Sequence, residues 1–322
     1  MKKLRLLAAG ALLASPASAA ITVDGTVDGG YGGPLAVQSV ETNFGDSAGG
    51  NSGGGELDAG YATVQGGRLY VTLTGNIEPN FNKVSVFIDS KAGGENTLSG
   101  TPAYDSGNVS QNFGGLTFDA GFEADYHLFG RWGGGAFEVD FIDRAGGTSA
   151  TVNGNGAAAA VGAGTPVQSG VVTPGDISLN AVGSALTQDL QFAFNNSNAA
   201  GVLGGTAAAD PVAAAAVTTG LEFSIALADL GNPAPGSEIL IHAAYGNGDN
   251  NYHSNQVLGG LAGGTGNLGG DGGGTFTGSL SGIDFNQFAG DQYFSVRVVP
   301  EPCALTLAVM AFALPLARCR RS

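Results

Sequence analysis

Two pairs of carboxylates stand two residues apart in the chain, Glu123 with Asp125 and Glu138 with Asp140. In an extended strand, residues i and i+2 share a face, so each pair sets two acids side by side, as a glycosidase needs them. A solvated outer face gives the same pattern in a chain with 27 acidic residues. Gly50-Asn51-Ser52-Gly53-Gly54 fits G-x-S-x-G, but a nucleophile elbow needs a strand before it and a helix after it, and neither pattern flanks this stretch. His127, His242 and His253 are widely separated, and both cysteines, Cys303 and Cys319, fall near the C-terminus. Residues 21–299 therefore cannot build a zinc site of Cys/His type. Calcium makes better use of the acids: Asp249 and Asn251 in one polar loop and Asp284 in another offer the oxygens that it takes. The alternative there is a set of Asx and glycine turns. For ligand contact, Trp132 beside Arg131 at a strand end and Tyr252 in an Asn-rich loop are the candidates, with core filling the other role open to a single Trp. None of these patterns specifies a catalytic residue, and a non-catalytic role is expected.

The elements that must position these residues are short alternating runs bounded by Gly, Asn and Asp. Leu69, Val71 and Leu73 alternate within 68–74, and Val84, Val86 and Ile88 do so within 83–89. Further runs cover 122–129, 136–142, 190–194, 221–227, 238–245 and 292–299, with a brief one at 177–182. Period-2 alternation between turn residues predicts half-buried antiparallel strands. Helical patterning is confined to a turn at 228–230. These strands predict an all-β chain, a single antiparallel β-sandwich of jelly-roll type with long Gly/Ala-rich loops. The stretches 45–60, 145–220 and 259–274 are Gly-, Ser- and Ala-rich and are expected to be mobile or surface-lying excursions.

Composition narrows the function. The chain has 57 glycines in 322 residues without a Gly-X-Y period, which excludes collagen. Its formal charge of -15 excludes the clustered cations that nucleic-acid binding requires. Residues 1–20 join Lys2, Lys3 and Arg5 to an apolar run and the small residues Ala17-Ser18-Ala19, the layout of a secretory signal peptide. At the other end, Val299-Pro300-Glu301-Pro302 precedes an apolar stretch, 303–317, and then Arg318, Cys319, Arg320 and Arg321. Fifteen apolar residues with snorkelling arginines behind them suit a membrane segment before processing, with the arginines on the cytoplasmic side.

This ending resembles the PEP-CTERM sorting signal of bacterial exported proteins, which has a Pro-Glu-Pro motif, a hydrophobic segment and a basic tail in that order. The resemblance covers residues 299–322. It implies processing by an exosortase, with Pro300, Glu301, Pro302, Arg318, Arg320 and Arg321 as recognition residues of a substrate. Removing both ends leaves residues 21–298 as one sandwich domain. From 21 to 299 the chain carries 26 acids against six basic residues, a net -20.

A second resemblance rests on Ile21-Thr22-Val23-Asp24-Gly25, Gly67-Arg68-Leu69-Tyr70-Val71, Val84-Ser85-Val86-Phe87-Ile88-Asp89 and the stretch from Leu221 to Gly231. In that order they look like the β-sandwich group of family 9 carbohydrate-binding modules and DOMON-like domains, which implies a binding module more than an enzyme. The expectation is an exported protein of the cell surface or extracellular matrix with a structural or adhesive role. The alternative is a carbohydrate-binding module for a surface glycan or exopolysaccharide.

Overall fold

The computed structural model describes residues 19–44, 54–100, 109–144, 151–153, 167–176 and 184–299. Among them are β1 (Ala36–Val37), β2 (Glu56–Gln65), β3 (Arg68–Asn76), β4 (Lys83–Asp89), β5 (Tyr126–Gly133), β6 (Ala136–Asp143) and β7 (Thr151–Asn153). After β8 (Val167–Val172) and β9 (Leu190–Asn195) come α1 (Pro211–Ala215), β10 (Gly220–Ala226), β11 (Glu238–Gly246), β12 (His253–Leu258) and β13 (Phe294–Arg297).

The strands form two antiparallel sheets. One has the order β1-β2-β3-β10-β9-β8, the other β12-β11-β4-β5-β6-β7, and β13 joins the second by pairing with β11. β13 takes Glu238 to Ile241 of β11 and β12 takes Ala243 to Gly246, so two short strands share one long edge. The alternating residues explain why the sheets meet. Leu69, Val71 and Leu73 of β3, Phe223 of β10 and Phe192 of β9 enter one buried apolar cluster with Val84, Val86 and Ile88 of β4 and Phe141 of β6. The result is sandwich-like, as the alternation predicted.

The strand expected over 122–129 starts only at Tyr126, and the one expected over 292–299 spans Phe294–Arg297. The run at 177–182 lies outside the described residues. The turn expected at 228–230 is a 3-10 turn, Leu227–Leu230. α1 was not foreseen, although Asp210 caps it by accepting from the amides of Val212 and Ala213 and a proline opens it.

The outer face of the second sheet carries a second apolar layer. Phe87, Ala244 and Val257 meet Leu98, Phe113, Phe118 and Phe122 from the β4–β5 connection and Leu261, Leu268, Leu280 and Phe285 from the β12–β13 connection. The stretch 259–274 is therefore no mobile excursion: Leu261 and Leu268 anchor it by burial. Likewise 45–60 is not all insertion, because β2 begins at Glu56.

β12 was missed because its middle is polar. Ser254, Asn255 and Gln256 are wholly buried. Asn255 Nδ2 donates to the carbonyls of Glu41 and Thr265 at 2.8 and 2.9 Å, and Gln256 Oε1 accepts from the Leu57 amide at 3.2 Å while its Nε2 donates to the Val40 carbonyl at 3.3 Å. Gln256→Leu is expected to lower stability by about 2 kcal/mol by leaving these backbone groups unpaired. Urea denaturation checks this, and an unchanged midpoint would show that the network contributes nothing.

Candidate functional site

Three connections meet at one end of the sandwich: residues 77–82 between β3 and β4, the glycine turn after β5, and 247–252 between β11 and β12. The Phe81 amide donates to the Trp132 carbonyl at 2.8 Å. A Cβ on Gly133 would lie 2.4 Å from the Phe81 ring and one on Gly248 would lie 2.9 Å from its carbonyl oxygen, so glycine is what lets the loops approach. Phe81 has φ of 69° and is 46% exposed. A bulky residue in the left-handed region costs about 1–3 kcal/mol, and an exposed ring recovers little of that by burial. Around it, Asn80 and Asn82 donate to Glu78 Oε2 at 3.2 and 2.9 Å. Across the junction, Asn247 Oδ1 accepts from the amides of Asn251 and Tyr252, each at 3.0 Å. A strained, outward aromatic among amides and a carboxylate is suited to stacking on a ligand that also hydrogen-bonds.

Of the residues singled out by sequence, Trp132 and Tyr252 both reach this end. Trp132 is half-buried, turned into the inter-sheet core, with its ring edge-on to Phe194 at 6.0 Å. Tyr252 stacks on Phe44 at 6.1 Å, and its hydroxyl donates to the Gly274 carbonyl at 3.3 Å. Arg131 does not flank the indole. Period 2 sends it to the opposite face of β5, where it is buried and bonds Glu138 at 2.5 Å.

Two of the three calcium candidates, Asn251 and Asp284, are engaged in their own turns. Asn251 Oδ1 accepts from Asn247 Nδ2 at 2.6 Å, and Asp284 Oδ1 accepts from the amide and Nδ2 of Asn286 at 3.1 and 2.8 Å. The Asp249 side chain is exposed, while its carbonyl accepts from Asn112 at 2.8 Å. Among the described residues, no group of three or more His, Cys, Asp or Glu is placed to share a cation. Glu123 and Asp125 precede β5 instead of lying on it. Glu123 is exposed, whereas Asp125 is buried and accepts from the amides of Ser90 and Lys91 at 2.8 and 2.9 Å. Glu138 and Asp140 do share a face of β6, with Glu138 taken by Arg131.

Ser52 and the residues expected to form a sorting signal, Pro300, Glu301, Pro302, Arg318, Arg320 and Arg321, lie outside the described residues. Among the described residues no helix is long and apolar enough to cross a membrane.

All three histidines are wholly buried in the second apolar layer, a grouping that their sequence separation hid. His242 Nδ1 contacts the Gln292 carbonyl at 2.7 Å and His253 Nδ1 the Ser254 carbonyl at 2.7 Å. Burial lowers their pKa values to about 3 and about 4. Between them and Asn250 is a cavity of about 10 Å³, room for one water.

Sequence reasoning passed over Phe81. The available signal was an aromatic between Asn80 and Asn82 after Pro79, in a turn where Gly or Asn is the ordinary occupant. Comparison of the chain with family models, with curated proteins and with solved structures finds no match.

Proposed function

We propose that this chain is an exported, non-catalytic protein of the bacterial surface or extracellular matrix, processed by an exosortase through its C-terminal segment. The observation that carries the reading is the ordered set of Pro300-Glu301-Pro302, the apolar stretch and the terminal arginines. The fold adds support. Val298 is buried, its amide donates to the Ser237 carbonyl at 2.8 Å, and the motif starts two residues later. The domain and its address are thus directly adjoined. The finer fold reading, a jelly-roll type of sandwich, belongs to the same proposal. It is supported by a chain that crosses between sheets at β3–β4, β7–β8 and β10–β11.

Mass spectrometry of the protein from cells tests this. The expected chain begins at residue 20 or 21 and lacks the C-terminal arginines. An intact Arg321-Ser322 end on the surface-displayed protein refutes processing.

Phe81 favours a second reading, in which the same body binds a surface glycan or exopolysaccharide at its loop end. An exposed ring offers an apolar face to sugar C–H groups, and Glu78, Asn80 and Asn82 supply acceptors and donors beside it. Phe81→Gly separates binding from folding. Glycine relieves the positive φ, so stability is expected to rise by about 1 kcal/mol while retention on glycan affinity gels is lost. Unchanged retention, or none in the parent protein, removes this reading and leaves the first standing.

A further inference from the structure

Along one side of the sandwich both sheets end in strands with an open edge. β1 pairs only with β2, and β13 only with β11, among the described residues. Between these two edges runs an open groove of about 790 Å³. Leu35, Ala36 and Val37 form one wall, and Leu240, Tyr293 and Phe294 form the other. Leu35 is 44% exposed, a large apolar side chain at the mouth.

Unpaired strand edges recruit other strands, and proteins that must avoid this cover or charge them. Here the charge is of one sign. Glu238 and Asp291 line the groove. The Tyr293 phenol is pushed up first by burial and then by the negative charge of Asp291, Asp119, Asp89 and Glu238, of which Asp291 and Glu238 line the groove with it. The nearest cation along β13 is Arg297, exposed at its far end opposite Glu238.

We propose that this groove receives an extended polypeptide segment bearing Lys or Arg on alternate positions, which adds a strand to the edge of β13. Backbone hydrogen bonds along β13 supply affinity, apolar side chains sit between Leu35 and Tyr293, and cations lie toward Asp291. A second copy of this chain fits poorly, because each copy carries a net -20 between residues 21 and 299 and the groove walls would meet like charge. This partner is independent of any glycan at Phe81, which lies at the loop end and not along this side.

Fluorescence polarisation with the purified protein and labelled eight-residue peptides tests the proposal. A peptide alternating Lys and Val is expected to bind, about tenfold more weakly when salt is raised to screen the carboxylates. The same peptide with two valines replaced by proline, which cannot donate to the ladder, is expected to lose binding. Leu35→Arg fills and repels at an exposed position, with an expected loss of about tenfold at an unchanged melting midpoint. Arg297→Glu, also exposed, is expected to tighten binding several-fold. Equal binding of a Glu/Val peptide, indifference to Leu35→Arg, or no binding of the Lys/Val peptide would overturn it.

Discussion

Gly75→Ala is expected to lower the melting midpoint by roughly 6–12 °C, the equivalent of about 3 kcal/mol in a domain of this size. Gly75 has φ of 136°, a region that a side chain rarely adopts. A Cβ there would sit 2.2 Å from the Glu56 carbonyl oxygen and 3.0 Å from the Leu57 Cα. These are backbone atoms of the neighbouring strand, at the bulge where β2 shifts register between Leu57 and Ala59. Retreat is blocked on the other side, since the Gly75 amide donates to the Thr219 carbonyl at 3.0 Å.

The strain would spread to two buried acids. Asp58 accepts from the Val202 amide at 2.7 Å and, with Glu56, from Asn198 Nδ2 at 3.2 and 3.0 Å. Burial pushes the Asp58 carboxyl up to about 7. These contacts fasten the 196–219 connection to the first sheet, so early proteolysis within that connection should accompany the lower midpoint. A midpoint within about 2 °C of the parent would show that β2 gives way without cost.

His127→Phe is expected to do the opposite. Both ring nitrogens of His127 are buried without a hydrogen-bond partner. The ring stacks on Phe87 at 4.2 Å and meets Phe113 edge-on at 5.2 Å. A flat apolar ring should replace it with a gain of about 2 kcal/mol near neutral pH, because an unmade donor and acceptor disappear.

The gain should also depend on pH. Burial, and after it the charges of Arg144, Lys83 and His242, hold the folded-state pKa well below the ordinary 6.5. Above 6.5 neither folded nor unfolded His127 binds a proton, and the gain is constant. Below 6.5 the unfolded chain takes a proton that the folded one refuses, so the parent loses stability that the variant keeps. The difference should widen by about 1.4 kcal/mol per pH unit. The other buried groups titrate in both proteins and cancel. Chemical denaturation at pH 8 and pH 5.5 measures this, and a difference that narrows on acidification would contradict it.

The strands that the sequence made legible are those whose buried faces are apolar. β3, β4, β6, β9, β10 and β11 all alternate and all feed the inter-sheet core. β2 hid behind small residues: a Cβ at Gly60 would lie 2.9 Å from the Phe294 ring, so the opposite sheet fills the place where a side chain would have announced a strand. β12 hid behind polar ones, whose partners at Glu41, Val40 and Leu57 lie some 200 residues away. Local periodicity carries no record of such pairs.

The site was legible in part for a similar reason. Trp132 and Tyr252 drew attention as aromatics near turns, and they do reach the same end. Alternation alone places Arg131 on the other face, a step that the sequence reading did not take. Phe81 is recognised by its backbone angle, which follows from how three loops converge. The proposed end signals lie outside the described residues, and their reading rests on order and charge along the chain alone.

Each sheet depends on a pairing of distant segments, at the middle of the first sheet and one strand in from the β12/β13 edge of the second. β3 meets β10 through Thr74 and Gly220, and β4 meets β11 through Asp89 and Leu240. Neither sheet can be completed from the first half of the polypeptide, so loop closure must precede most of the stabilising contacts and folding should be slow. For a protein proposed to be exported, that delay is useful. On that proposal the chain would stay threadable until its last third had emerged, and the final strands would then lock both sheets on the far side of the membrane.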